Sequence, residues 1–432
     1  MMRSILRIVL IYLGIFFLVA SKLFASSADM FGLSSRLSAT AGLPTFSNPD
    51  PALIYQNPAF LTQAQKLYTT VGILNTADFF KPIENVVVQN ELSGLSVETG
   101  NPKTDAENMM GMNLGLLLPV RTDFPKIGAG VIGFIPFGSL ASVNTGENYV
   151  PSYALYYNRP KHFSFIGGVG IKPWDELSMG VGANLYLTSG ANTKMNINGT
   201  NSSVALAMDI KPAVSFIVGS QYRWDEWSVD ASYHQDLNYA MVLKNETKLF
   251  DLPIVEFLAK TAMFYDPQMV GVGISRIFKN GVQLGTRLDW KNWKKYQIAL
   301  NQVTFSNPAD TDSSNPVPSF LPEVQFKNIF SPSLGIEFPL KSTWIRAGYR
   351  YEPEHIKSQE ENSNFLDTDV HILSCGMGRS FGIFTVDLHL QYHQLVSQVV
   401  QKTDSAAVGY KEGGYIVGGS LLNYGLTLGT TF

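Results

Sequence analysis

From Phe384 onward the chain repeats with a period of two. Phe384, Val386, Leu388, Leu390 and Tyr392 fall on one face, and Thr385, Asp387, His389, Gln391 and His393 fall on the other. Successive side chains of a strand point to opposite sides, so this stretch is a strand with one greasy and one polar face. The same split runs through Val282/Leu284/Thr286/Leu288/Trp290 against Gln283/Gly285/Arg287/Asp289/Lys291. It recurs in Ile345/Ala347/Tyr349/Tyr351 against Trp344/Arg346/Gly348/Arg350, and in Val229/Ala231/Tyr233 against Asp230/Ser232/His234/Asp236. A chain patterned this way is all-β.

Composition removes most competing classes. Only one apolar stretch, Ile8–Ala20, exceeds a dozen residues, so a bundle of membrane helices is excluded. A net charge of −3 leaves no basic footprint for nucleic acid. The single cysteine, Cys375, excludes an intrachain disulfide framework and a Cys-rich zinc site. A soluble sandwich and a membrane barrel remain. Large aromatics near the strand ends, as an interfacial girdle would place them, favour the barrel. So do strands that run past about ten residues, the length of a tilted membrane span.

Connection lengths supply a further test. Short turns fall at Arg121–Lys126, Pro173–Glu176, Arg223–Glu226, Lys279–Gly281, Leu340–Thr343 and Ser380–Gly382. Long polar stretches fall between them, among them Thr76–Asn108, Ser189–Asn201, Lys244–Lys260, Asn301–Lys327 and Val399–Glu412. Short inner turns and long outer loops in alternation are the outer-membrane layout, and the intervening segments number about fourteen, an even count. The reading is a transmembrane antiparallel β-barrel over residues 66–432. Residues 151–172 are read as one strand kinked at Pro160, which lacks a ladder donor and opens a gap in the wall.

The first residues point to export. Arg3 and Arg7 precede the apolar run, and Ala25-Ser-Ser-Ala28 supplies small residues, the order of a signal peptide over residues 1–25 with cleavage expected after Ala25 or Ala28. At the other end, Tyr424, Leu426, Leu428 and Phe432 share a face. A closing strand of this kind resembles the C-terminal signal, here Tyr424 and Phe432, that the barrel assembly machinery reads.

Residues 29–65 do not alternate. They contain Gly32, Arg36 and Gly42, then Asp50-Pro-Ala-Leu-Ile-Tyr55-Gln-Asn57-Pro58-Ala59-Phe-Leu61. This pattern resembles the N-terminal hatch of the outer-membrane long-chain fatty acid and toluene transporters, the OMPP1/FadL/TodX family. Two positions depart from it: Leu43-Pro44 replaces a small-aromatic pair, and Gln56 replaces a common Tyr. Apolar residues such as Phe31, Leu53, Ile54 and Phe60 need a home, and the lumen of the barrel offers one.

The resemblance implies a bacterial outer-membrane protein, surrounded by lipid, that takes up hydrophobic small molecules passively. Long-chain fatty acids and aromatic hydrocarbons are the family's ligands. The implied route runs from a groove in the outer loops to a pocket above the hatch, and then sideways through the wall. Lys248–Lys260 is the only apolar outer loop, with Leu249, Phe250, Ile254, Phe257 and Leu258 as candidate ligand contacts and a short helix expected with Ile254, Val255, Phe257 and Leu258 on one side. Arg346 and Arg350 face the lumen and suit a carboxylate, as do Arg287 and Lys291, although inward Asp230, Asp236, Asp289 and Asp387 offer them protein partners. His389 and His393 lie about 13 Å apart on a strand, too far to share a metal, so lumen hydrogen bonds are expected of them and of His234. No Gly-x-Ser-x-Gly elbow, phosphate loop or His-Glu-x-x-His motif marks an enzyme or a cofactor site. A docking barrel without transport is the competing expectation; a filled interior with partner-shaped loops distinguishes it from a transporter.

Overall fold

The computed structural model describes residues 28–43, 50–82, 86–90, 95–100, 108–137, 152–153, 155–156, 164–198, 203–249, 252–296, 302–306, 324–359, 365–400 and 415–432. The expected signal peptide, Phe250 and Pro160 lie outside these residues. In chain order the strands begin with β1 (Tyr68–Phe80), β2 (Val86–Asn90), β3 (Leu95–Gly100), β4 (Met110–Arg121), β5 (Lys126–Pro136), β6 (Ser152–Tyr153) and β7 (Ser164–Lys172). Then come β8 (Leu177–Ile197), β9 (Ser203–Trp224), β10 (Trp227–His234), β11 (Leu237–Leu249), β12 (Leu252–Asp266), β13 (Gln268–Ile277) and β14 (Gln283–Asn292). The chain finishes with β15 (Gln302–Ser306), β16 (Ile329–Leu340), β17 (Thr343–Glu352), β18 (Phe365–Leu366), β19 (Val370–Phe381), β20 (Phe384–Val400) and β21 (Tyr415–Thr431).

Fourteen spans, each antiparallel to its neighbours, close into a barrel, with β10–β11 and β12–β13 each forming one interrupted span. Closure is made by β1, which pairs with β21 (Tyr68↔Thr431) and with β4 (Tyr68↔Leu117). All six short turns fall where expected. Asp225, Lys341, Gly281 and Gly382 adopt positive φ in four of them, the backbone that tight hairpins require.

The alternation resolves into inside and outside. On β20, Thr385, Asp387, His389, Gln391 and His393 are buried, while Leu388 and Leu390 are exposed on the outer wall. On β10, Ser228, Asp230, Ser232 and His234 are buried between outward neighbours. Exposed Phe124, Trp174, Tyr222, Trp224, Phe381 and Phe384 crowd the short-turn end, where an aromatic girdle meets the inner membrane interface.

Three expectations change. Residues 151–172 are not one spanning strand: β7 begins at Ser164, and β6 pairs in parallel with β18 instead of joining the wall. Tyr153, Leu155 and Tyr156 are all buried, so both faces of this stretch need an apolar home and it turns inward. Residues 254–258 form no helix; they belong to β12, paired with β11 (Thr247↔Val255) and with β15 (Phe257↔Phe305). Ile254 and Val255 are β-branched, and available ladder partners on both sides decide for strand. Several expected loops are also strand: β8 has 21 residues, about 70 Å, and continues well beyond a bilayer.

Candidate functional site

The N-terminal segment lies across the lumen and is almost wholly buried. It is built from short helices at Ala28–Phe31, Ser35–Ala39 and Leu53–Gln56 and a 3-10 turn at Pro58–Gln63. Ser34 caps the second helix, its Oγ accepting from Leu37 N (3.3 Å) while donating to Asp50 Oδ2 (2.6 Å). Asp50 Oδ1 accepts from Ala52 N (2.9 Å), so one carboxylate joins the two halves of the segment. Burial pushes the Asp50 carboxyl above its ordinary range, and Arg36 acts against that rise. Gly42 ends the helix at φ +88°, donating its N–H to Leu37 O (2.9 Å).

The Asn57-Pro58-Ala59 turn is the point where this segment holds the wall. Asn57 Oδ1 accepts from Ala59 N (3.0 Å), and Pro58, lacking an N–H, opens the 3-10 turn. Asn57 Nδ2 donates to Ser220 O on β9 (2.9 Å) and to Ala231 O on β10 (3.1 Å), two residues that face each other in the ladder. Tyr55 sets its ring edge-on to His234 at 5.1 Å. Elsewhere Ser35 N donates to Thr427 Oγ1 (3.0 Å), Gln391 Nε2 to Ser38 O (2.8 Å) and Thr62 Oγ1 to Ser178 Oγ (3.0 Å). The segment thus touches β8, β9, β10, β20 and β21.

The lumen-facing cations meet protein groups. Arg346 bonds Glu337 (2.5 Å) and Asp387 (2.6 Å), and Arg36 of the segment lies 3.8 Å from the same Asp387. Arg287 holds Asp230 (2.6 Å) and Asp289 (2.8 Å). Lys291 bridges Asp29 (2.9 Å) and Glu352 (2.7 Å). Arg350 donates to the carbonyls of Asp29 and Met30, each at 3.0 Å. Buried charges of this kind persist only when paired; Arg36, Lys291 and Arg350 stitch segment to wall, while Arg287 and Arg346 tie wall strands to one another. The histidines divide: His234 bonds the backbone of Gln56 in the segment, whereas among the described residues neither ring nitrogen of His393 has a hydrogen-bond partner.

Above the Asn57 contact the wall changes. The β9–β10 ladder ends at Ile217↔His234, with one last bond from Gln235 N to Phe216 O (2.9 Å). Beyond it β9 stays with β8, whereas β11 pairs in parallel with β8 (Leu243↔Ala191) instead of with β9. Val214, Phe216 and Val218 remain exposed on the outer face beside this seam, which places it at the level of lipid.

Sequence reasoning missed the glycines opposite the segment. Gly128, Gly170, Gly180 and Gly219 face Leu61, Pro58 and Asn57, and a methyl on Gly219 would overlap the Asn57 side chain. Their two-residue spacing in β7 and β8 (Gly168/Gly170, Gly180/Gly182) was a visible sign of a close backbone approach.

A closed barrel with an apolar outer wall and a charge-stitched insert in its lumen defines an outer-membrane barrel of the transport type. The chain belongs to the outer membrane protein transport family (OMPP1/FadL/TodX), whose model matches residues 31–432, and its place is the bacterial outer membrane. Among solved structures, a Pseudomonas aeruginosa FadL homologue is similar, with a TM-score of 0.62 at 14% identity, covering 95% of this chain and 100% of that one. The Pseudomonas putida toluene transporter TodX is similar at a TM-score of 0.54 and 14% identity, covering 94% of this chain and 99% of its own. The CymD monoaromatic hydrocarbon channel gives a TM-score of 0.54 at 15% identity, over 94% and 98% of the two chains. At these identities the likeness is one of fold. No curated protein sequence matches the chain.

Proposed function

We propose that this protein carries small hydrophobic molecules passively inward across the outer membrane, with residues 29–65 as a hatch and the β9–β11 seam as a sideways exit into the bilayer. The observation that carries the reading is the position of Asn57. Its amide bonds both strands that border the seam, three residues below the end of their ladder. A movement of the hatch therefore acts on the wall where the wall is weakest. Sideways release suits an apolar cargo, because each buried methylene favours lipid over water by about 0.8 kcal/mol. The paired lumen cations fit a route that gives ions and water no path.

The test is uptake of a radiolabelled apolar compound by cells carrying the intact protein, the Asn57→Ala variant or a deletion of residues 29–60. Uptake is expected to fall in both variants by more than binding to the purified proteins does. Equal uptake by wild type and deletion defeats the hatch, and wild-type uptake no faster than that of cells lacking the protein defeats transport altogether.

A further inference from the structure

His393 is a buried imidazole in an apolar box. It projects from β20 between Ile372 of β19 and Leu421 of β21, its register partners on either side, and both are buried. The Phe31 ring of the N-terminal segment lies 5.5 Å from it and the Tyr156 ring 6.5 Å, with Phe80 5.5 Å beyond Tyr156. His393 is 1% exposed, and neither of its ring nitrogens has a hydrogen-bond partner among the described residues. A buried polar group left in that state is costly, so the position is one that a polar partner would favour. Phe31 and Tyr156 belong to no wall strand, so both can move aside without breaking the barrel ladder.

We propose that His393 is a specificity-determining residue that receives the hydroxyl of an uncharged hydrophobic alcohol or phenol in the lumen directly above the N-terminal segment. This rests on the uptake reading given above and narrows its cargo. A neutral imidazole carries one donor and one acceptor nitrogen, which matches a hydroxyl in either tautomer. A carboxylate would instead need a cation, and Arg36, Arg287, Lys291 and Arg346 each already sit beside protein carboxylates, while Arg350 holds two carbonyls. Phe31, Ile372 and Leu421 give the box apolar walls, as a site for an otherwise greasy molecule requires, with the Arg350 and Glu352 charges near enough to act on the ring.

The experiment compares three bicyclic probes, naphthalene, 1-naphthol and 1-naphthoate, by titration calorimetry on the full-length purified protein with matched detergent as the blank. Wild type is expected to bind 1-naphthol about 3- to 10-fold tighter than naphthalene, the range of one neutral hydrogen bond, and 1-naphthoate weakest. His393→Phe, which keeps an aromatic ring in the box, should bring the naphthol-to-naphthalene ratio to about one. His393→Gln should retain most of the preference. A ratio near one in wild type, or a preference that survives in His393→Phe, overturns the assignment while leaving hydrophobic uptake standing. Tighter 1-naphthoate binding overturns the uncharged class, and no binding of any probe removes both readings.

Discussion

Asn57 occupies the space that Gly219 leaves open. Its Oδ1 lies where a side chain on Gly219 would begin, and that proximity brings its Nδ2 within reach of Ser220 O and Ala231 O. Gly219→Ala should therefore displace the Asn57 side chain and reproduce Asn57→Ala, at a loss of about 1–3 kcal/mol for the two bonds. A cysteine placed at Gln235 in a Cys375→Ser background reports the outcome through its rate of labelling by a lipid-soluble maleimide, which should rise in both variants. Labelling that rises in Asn57→Ala but stays at the wild-type rate in Gly219→Ala would separate the two residues.

The outward facing of Leu388 predicts a steep penalty for charge. Leu388→Arg places a guanidinium on the lipid face of β20 and should destabilise the folded barrel by about 2–4 kcal/mol. Leu340→Arg, exposed beside a short turn near the membrane interface, should cost about 0–1 kcal/mol. Urea titration in lipid vesicles measures both. Equal penalties at the two positions contradict the assigned depth.

Asp387 serves two arginines, Arg346 at 2.6 Å and Arg36 at 3.8 Å. Removing it takes one buried carboxylate from each arginine, so Asp387→Leu should cost about 3–5 kcal/mol. Arg36→Met still leaves Asp387 paired with Arg346 and should cost less. Thermal melting of the two variants ranks them, and a larger loss in Arg36→Met would show that the segment, not the wall, depends on this pair.

His355 supplies a pH dependence. Burial disfavours its charged form, but Asp367 (3.1 Å) and Glu352 (3.4 Å) outweigh burial and raise its pKa above the ordinary value. A raised folded pKa means stability that is fully present below about pH 6.5, the unfolded value, and lost as pH climbs through the folded one. Hydrogen exchange of residues 353–369, corrected for the intrinsic rate, should therefore quicken from pH 6 to pH 9. His355→Gln should flatten that trend; a wild-type profile already flat would remove the histidine from the account.

The barrel was legible because lipid and lumen impose opposite polarities on alternate residues, and Leu388 against His389 is readable without coordinates. The short turns were equally plain, since charge and glycine interrupt the alternation there. The ion pairs were not. That Arg287 faces inward follows from its strand, but that it reaches Asp230 depends on the register of β10, β13 and β14, which is set only when the strands assemble. The stretch 151–172 misled because a single strand kinked at Pro160 keeps short turns and long loops in alternation, whereas Tyr153 and Tyr156 are in fact buried inside. The outer strands were hidden for a related reason: Lys194, Glu246 and Lys248 read as solvated loop, yet they lie along the paired extensions of β8 and β11.

The salt links of the lumen have an electrical consequence. Arg36, Arg287, Lys291 and Arg346 are each matched by carboxylates held within the same wall and insert, so the throat presents little uncompensated charge to draw counter-ions from either side. If the insert also closes the lumen to water, the proposed uptake route leaves no ionic path, and a planar bilayer doped with the protein should carry no more current than bare lipid. On the proposed route, an oil leaving through the flank would need no ion-conducting path through the throat.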